Sequence, residues 1–221
     1  YGQLVIPLAV IGLPVAVYIP PFYSSTLGLD LAAVGVILML ARISDVVTDP
    51  LIGRLSDRTR TRWGRRRPWV LAGVPLMVLS SLMLFVPQGE VTNLYLLTWI
   101  AAIYLGYTLI TIPYGAWGAE ISGDYHERNR ISGSREIFLL VGLLIAISAP
   151  VAGAYLMGTP AEEGAASRSA VGILGWLTAV MLPICALIAF ASVPEPMVHD
   201  TKTIPLRRGL RIVMRNGPFR I

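Results

Sequence analysis

Three charged residues interrupt an apolar stretch of the chain. Residues 41–69 begin inside that stretch and carry Arg42, Asp45 and Asp49 before the sequence becomes polar. In a helix that turns by about 100° per residue, these side chains lie within roughly 60° of one another and therefore on one face. Each would cost about 2.5 to 3.5 kcal/mol at the centre of a bilayer. We therefore expect this face to contact a partner, an ion or a water-filled cavity.

Two prolines leave backbone carbonyl oxygens near these charged residues free to bind a cation. Pro50 follows Asp49 and leaves the carbonyl one turn earlier without its helical partner, and Pro113 does the same close to Thr108. Hard oxygen ligands of this kind suit Na⁺ or Li⁺, while a pair of carboxylates can instead share a proton. The alternative is that the two aspartates merely pair with the arginine on their own face and hold helices together.

Composition places these residues in a membrane protein. Of 221 residues, 55% are hydrophobic and only 14% are charged, whereas charged residues make up about a quarter of a soluble domain. The single cysteine, Cys185, excludes a disulfide framework, and two isolated histidines argue against a resident metal site. The net charge of +5 comes from basic residues between apolar runs, so we expect it to set topology and not to bind nucleic acid.

Six apolar stretches are long enough to cross a bilayer. We place them near residues 3–23, 31–54, 69–87, 92–118, 133–157 and 169–193. The sequence therefore predicts an all-α membrane protein whose residues 1–193 form a six-transmembrane-helix bundle. Arginines and lysines concentrate after the second, fourth and sixth stretches, so the positive-inside bias puts both ends in the cytoplasm.

The remaining residues, 194–221, have a different pattern. Apolar and basic positions alternate at helical spacing in residues 205–221, which predicts an amphipathic helix on the cytoplasmic membrane surface. The chain starts without methionine and stops soon after an Asn-Gly-Pro-Phe turn. We expect a fragment in which residues 194–221 form a cytoplasmic linker to a missing second half.

A basic loop follows the second apolar stretch. Gly53 and Gly64 permit close packing or a tight turn, and Asp57 can accept hydrogen bonds from arginines or from the start of the next helix; Arg65 and Arg66 complete the pattern. Positive charge alone would make this loop a topology anchor. We favour a cytoplasmic gate, formed by these five residues, that holds one conformation through hydrogen bonds and releases it in another.

These motifs resemble those of a known family. The loop sequence DRTRTRWGRRRPW is similar to the cytoplasmic signature of the major facilitator superfamily. With RISDVVTDP before it and IPYGAWGAEISGDYHERNRISGSRE after it, the chain resembles the glycoside, pentoside and hexuronide cation symporters, the melibiose-carrier family. The resemblance implies one amino-terminal half of the superfamily fold, completed by the carboxy-terminal half of the same carrier.

The resemblance also implies a function. It indicates a cation-coupled secondary transporter of a sugar or glycoside that works by alternating access, with Na⁺ or H⁺ as coupling ion. No enzymatic reaction and no cofactor are implied, and the expected location is the bacterial plasma (inner) membrane. Arg42 would neutralise the carboxylates when no ion is bound.

Site residues follow from the same resemblance by position. The cation-site segment matches Asp45, Thr48, Asp49 and Thr108, with Thr48 standing where melibiose carriers commonly have asparagine. Arg135 matches an arginine that supports sugar binding, although a juxtamembrane anchor is an equal alternative.

The sugar site also shows departures from the family pattern. Thr111 and Ala9 replace sugar-binding carboxylates, and Gly115 replaces a stacking tryptophan, which makes melibiose itself a poor candidate. Aromatic residues such as Tyr18 and Tyr114 remain candidates to stack against a sugar. The predicted substrate-binding residues are therefore Arg135, Thr111, Tyr18 and Tyr114.

Two other functions stay open. A lysolipid symporter of the same fold would need a wide apolar cavity, which the loss of the sugar-binding carboxylates permits. A membrane sensor or scaffold that transports nothing would make the acidic pair dispensable. An enzyme is disfavoured because no nucleophile, metal cluster or phosphate loop occurs in a suitable context.

Overall fold

A computed structural model describes residues 1–156 and 168–193. A short 3₁₀ turn, Gly2–Leu4, leads into the first helices, α1 (Val5–Val17) and α2 (Ile19–Pro21), and then into a π-helical turn, Phe22–Thr26. The long helices are α3 (Leu31–Arg58), α4 (Arg67–Phe85), α5 (Asn93–Glu120), α6 (Tyr125–Leu156) and α7 (Arg168–Ser192). The described part of the chain contains no β-strand, so the predicted all-α fold is confirmed.

Five helices, α3 to α7, are long and apolar enough to cross a membrane. Residues 2–17 and 19–26 form a pair bent by 49°, which makes a sixth span if the pair is one broken helix. Pro20 and Pro21 lie at the bend and have no backbone N–H to donate, which explains the break. Five of the predicted spans are thus recovered, and the bent pair corresponds to the first. The predicted linker, residues 194–221, lies outside the described residues.

Helix boundaries differ most from prediction where polar turns extend a span. α3 continues past the predicted residue 54 to Arg58, and α6 begins at Tyr125 instead of residue 133. The added turns are polar, so an apolar window cannot detect them, although they propagate an existing helix at little cost. These extensions carry the ends of α3 and α6 beyond the apolar part of each span.

The packing order places α3 and α5 side by side. α5 also packs against α4, α4 against α7, and α1 against both α6 and α7. Small residues allow the close approach of α4 and α5: a Cβ atom on Gly73 would lie 2.6 Å from Ile110, and one on Gly106 would lie 3.1 Å from Met77. The α4–α5 pair therefore forms a tight support behind the α3–α5 contact.

Side-chain caps fix where α3 and α5 begin. Asp30 accepts a hydrogen bond from the backbone N–H of Ala33 at 2.9 Å at the start of α3. Thr92 accepts one from Tyr95 N–H at 3.2 Å at the start of α5. Each cap satisfies a backbone donor that the first helical turn leaves free.

Large apolar side chains on α3 and α6 remain exposed. Val46 and Val47 of α3 are 74% and 69% exposed, and Leu144 of α6 is 68% exposed. α3 and α6 are also the least buried of the five long helices. These surfaces suit lipid or another apolar protein surface.

Candidate functional site

A cavity of about 320 Å³ lies where α1, α3 and α5 meet. Its polar lining includes Arg42, Asp45 and Asp49 of α3 together with Thr108 and Thr111 of α5. Apolar and aromatic residues complete the wall, namely Ile11, Gly12, Val15, Ile103, Tyr104 and Tyr107. The charged face of α3 therefore lines a partly open cavity.

One hydrogen bond joins the two helices across this cavity. The Thr108 hydroxyl donates to Asp49 Oδ1 at 2.9 Å, although 59 residues separate them in sequence. Thr108 is only 3% exposed and Asp49 is half-buried, so the bond lies at the edge of the cavity with its donor buried. An ionised carboxylate has about four acceptor sites, and Asp49 therefore retains acceptor capacity for a cation.

Asp45 supplies a second carboxylate with a free oxygen. Its Oδ1 atom is buried and has no hydrogen-bond partner within residues 1–156 and 168–193. Buried polar atoms without a partner are rare, and such an atom on a carboxylate favours a bound cation or proton. Asp45, Asp49 and Thr108 thus offer oxygen atoms to one cavity.

Arg42 lines the same cavity but does not pair with the acidic residues. Its guanidinium carbon lies 4.8 Å from the ring centre of Tyr104. In the described chain it forms no salt bridge with Asp45 or Asp49. Arg42 thus interacts with Asp45 through its charge without forming a direct ion pair with it.

Two other predicted polar residues on α3 and α5 differ in placement. The Thr48 hydroxyl donates to the Ser44 carbonyl of its own helix at 3.2 Å, and Thr48 does not line the cavity. Thr111 does line it, with its hydroxyl donating to the Tyr107 carbonyl at 2.9 Å. Thr48 is one position before Asp49, and a rotation of about 100° explains its place on a different face.

The other predicted substrate residues do not themselves line the cavity. Tyr114 is 2% exposed; its ring stacks on Tyr1 with centres 4.3 Å apart, and its hydroxyl donates to the Tyr1 carbonyl at 2.8 Å. Tyr18 packs against the hydrophobic core. Arg135 forms a salt bridge of 3.1 Å with its neighbour Glu136. Arg135 also interacts electrostatically with Tyr114 and with the cavity-lining Tyr107, so it lies close to the cavity wall without lining it.

A second polar centre lies at the other end of the α3–α5 contact. Arg66 is 3% exposed and forms a salt bridge of 2.7 Å with Asp57 and a hydrogen bond of 3.0 Å to the Ser56 hydroxyl oxygen. Arg66 also donates to Glu120 Oε1 at 2.7 Å, and Arg65 donates to the same oxygen at 2.5 Å. We call these five residues the loop cluster; it ties the loop after α3 to the end of α5.

The electrostatics of the loop cluster keep Arg66 charged. Burial by itself would lower the pKa of this guanidinium, but hydrogen bonds and charges from Glu120 and Asp57 outweigh that effect and raise it. Because Arg66 is buried and binds Asp57 of α3 and Glu120 of α5, it links the ends of these two helices through charged hydrogen bonds.

The two predicted glycines support this junction. Gly64 has φ of +101°, a left-handed conformation that strains other residues, and its N–H closes a turn by donating to the Thr61 carbonyl at 3.1 Å. Gly53 faces Ile112 of α5, where an added Cβ would lie 3.5 Å from that side chain.

Glu120 is the residue that sequence reasoning missed. It accepts from two arginines, yet it lies more than fifty positions from them, and no local spacing connects the two. The available signal was a single acidic residue at the end of an apolar span, facing a loop rich in arginine. Ser56 was also missed, because a lone serine has no distinctive sequence pattern.

The fold and the cavity define a polytopic α-helical membrane protein with a charged internal site. The sequence matches the family described as MFS/sugar transport protein over residues 1–221, and the chain belongs to this family. The resemblance to glycoside, pentoside and hexuronide cation symporters, and to one half of the major facilitator superfamily fold, is therefore confirmed.

Three relatives illustrate the range of the match. The uncharacterized symporter YnaJ of Bacillus subtilis is 34% identical over 177 residues, covering 77% of this chain and 38% of the relative. The isoprimeverose transporter of Lactiplantibacillus pentosus is 30% identical over 216 residues, covering 93% and 43%. The sodium-dependent lysophosphatidylcholine symporter 1 of Xenopus tropicalis is 26% identical over 235 aligned positions, covering 91% and 43%.

The chain spans less than half the length of these relatives. Their names describe transporters and symporters, and none describes an enzyme.

Proposed function

We propose that the full-length carrier containing this chain is a cation-coupled symporter of a sugar or glycoside. The observation that supports it most is the acidic pair on α3, which faces a cavity with one carboxylate oxygen unpartnered and the other carboxylate bonded to Thr108. Relatives named as a symporter and as a transporter of isoprimeverose agree with this function. We infer that Asp45, Asp49 and Thr108 bind the coupling ion, Na⁺ or H⁺.

Coupling follows from placing ion and solute beside one cavity. A cation bound by the acidic pair removes net negative charge and orders the α3–α5 wall against which a solute binds. Binding of each partner then favours the other by the same factor, typically worth about 1 to 3 kcal/mol. Thr111 and the nearby aromatic residues supply the adjacent wall, while the predicted roles of Thr48, Arg135, Tyr18 and Tyr114 remain predictions.

Transport also requires a second half of the carrier. We infer that a carboxy-terminal half closes the exposed faces of α3 and α6 and that rocking of the two halves exposes the cavity alternately. The loop cluster would then act as the cytoplasmic gate, with both ends of the described bundle in the cytoplasm. The bacterial relatives support a bacterial plasma membrane as its location.

The test is sugar uptake by the purified full-length carrier in proteoliposomes. A thermal-shift screen of glycosides, pentosides and hexuronides first identifies a sugar that stabilises the protein, and its uptake is then measured with and without an inward gradient of Na⁺ or H⁺. The gradient should accelerate uptake in the wild type and not in Asp49→Asn. Asp124→Asn, in the exposed turn before α6, is the matched control and should behave as wild type. Gradient-dependent uptake by Asp49→Asn would contradict the assignment.

A lysolipid is the second candidate solute. The relative named as a lysophosphatidylcholine symporter supports it, as does the replacement of the sugar-binding carboxylates by Thr111 and Ala9. The same proteoliposomes can be supplied with radiolabelled lysophosphatidylcholine. Cation-dependent uptake of this lipid, together with no response to any sugar, would favour the second candidate.

A further inference from the structure

We propose that Tyr104 is a positioning residue that holds Arg42 away from the acidic pair and thereby sets the affinity of the site for its coupling cation. The inference rests on the proposed function, because it concerns the same cation site. Tyr104 would act through Arg42 and would not touch the ion itself.

Arg42 lies on the same helix face as Asp45 but does not pair with it. It lies three residues before Asp45 on one helical face, a spacing that brings side chains into contact. Asp45 Oδ1 nevertheless has no partner among the described residues, and Arg42 lies over the Tyr104 ring at 4.8 Å. The flexible side chain of Arg42 could therefore turn toward Asp45 Oδ1, but in the structure it lies over the Tyr104 ring instead.

The α3–α5 contact explains how Tyr104 competes for this arginine. Arg42 contacts Tyr104, and one to two turns further along both helices Asp49 contacts Thr108. Tyr104 and Thr108 are four residues apart and share a face of α5. The two contacts thus lie in order along one helix pair, and the first fixes the arginine while the second fixes a carboxylate.

The chemistry of the ring face gives this contact its strength. An aromatic face attracts a guanidinium, and the attraction is greatest where water is excluded. Tyr104 is only 9% exposed, so packing fixes the position of its ring, while Arg42 itself is exposed. Without the ring, Arg42 would turn to the aspartates and compete with Na⁺ or H⁺ as an internal cation, which lowers the apparent affinity for that ion.

The test measures cation binding to the full-length carrier in nanodiscs without solute. Two probes are titrated separately: ²²Na⁺ at alkaline pH, and H⁺ in Na⁺-free buffer with a pH electrode. The probe bound by the wild type and lost in Asp49→Asn reports on the site. Tyr104→Leu should weaken that binding by between about twofold and about thirtyfold, the range of such cation–aromatic contacts.

Two variants separate ring electrostatics from packing. Tyr104→Phe keeps the ring face and should bind the cation as the wild type does. Pentafluorophenylalanine at position 104 keeps the ring shape but removes its negative face, so it should weaken binding as the leucine variant does. This second variant keeps the test decisive even if Tyr104→Leu does not fold.

Arg42→Gln completes a double-mutant cycle. The weakening caused by Tyr104→Leu should disappear when Arg42 is also glutamine. Wild-type affinity with pentafluorophenylalanine at position 104, or a loss that persists without Arg42, would overturn the role of Tyr104. Undiminished cation binding in Asp49→Asn would instead contradict the proposed function, so the two failures are distinguishable.

Discussion

Glu120→Gln is the substitution that tests the loop cluster most sharply. The change keeps the shape of the side chain but removes the negative charge that accepts from Arg65 and Arg66 at 2.5 and 2.7 Å. Arg66 is 3% exposed, and the side chain of its other acidic partner described above, Asp57, is 53% exposed. The buried guanidinium would thus lose its more shielded counter-charge.

The expected cost follows from these contacts. Leaving one member of a buried ion pair without any partner costs about 3 to 5 kcal/mol. Arg66 keeps Asp57, and the Glu120 side chain is itself 30% exposed, so the loss should fall to about 1 to 3 kcal/mol. The loss should lower the thermal unfolding temperature of the carrier.

The assay is thermal unfolding of the purified full-length carrier in one detergent, followed by its intrinsic tryptophan fluorescence. Glu127→Gln is the matched control, because Glu127 is exposed and its carboxylate accepts only from the Ser122 hydroxyl among the contacts found for it. The control should unfold within about 0.5 kcal/mol of the wild type. Equal unfolding temperatures for Glu120→Gln and Glu127→Gln would refute the reasoning about Arg66.

Three further predictions concern the helix contacts. Thr108→Val removes the hydroxyl that donates to Asp49, so the cation concentration for half-maximal uptake should rise about tenfold, whereas Thr108→Ser should retain wild-type affinity. Gly73→Ala would place a methyl group 2.6 Å from an α5 side chain and should destabilise the carrier by about 1 to 3 kcal/mol in thermal unfolding; Gly133→Ala, with open space around it, is the control. Thr48→Val should change cation affinity less than twofold, since its hydroxyl bonds within α3, and a larger change would place that hydroxyl at the ion.

The spans and the charged face were predictable because each depends on local sequence. Apolar length sets a span, and helical periodicity alone puts Arg42, Asp45 and Asp49 on one side of α3. The link between Asp49 and Thr108 required more, since helix spacing cannot pair residues on different helices. The family resemblance suggested that pair, and the structure joins its members by a hydrogen bond.

Contacts between distant segments could not be predicted from spacing. The stacking of Tyr114 on Tyr1 depends on how the first residues of the chain pack against α5. Tyr114 takes part in this packing and does not line the cavity. The partnership of Glu120 with two arginines depends on where α5 ends relative to the loop after α3. Both depend on helix rotation and crossing, which the chain as a whole determines.

Coupling between ion and solute is tested most directly by reversing which of them drives the other: a solute gradient is applied and movement of the cation is measured. Proteoliposomes with the full-length carrier receive an inward gradient of the identified solute and no gradient of cation, and entry of ²²Na⁺ or of protons is recorded. We expect the solute to drive one of these cations inward in the wild type and to drive neither in Asp49→Asn. Solute entry without cation movement in the wild type, or undiminished cation movement in Asp49→Asn, would contradict it.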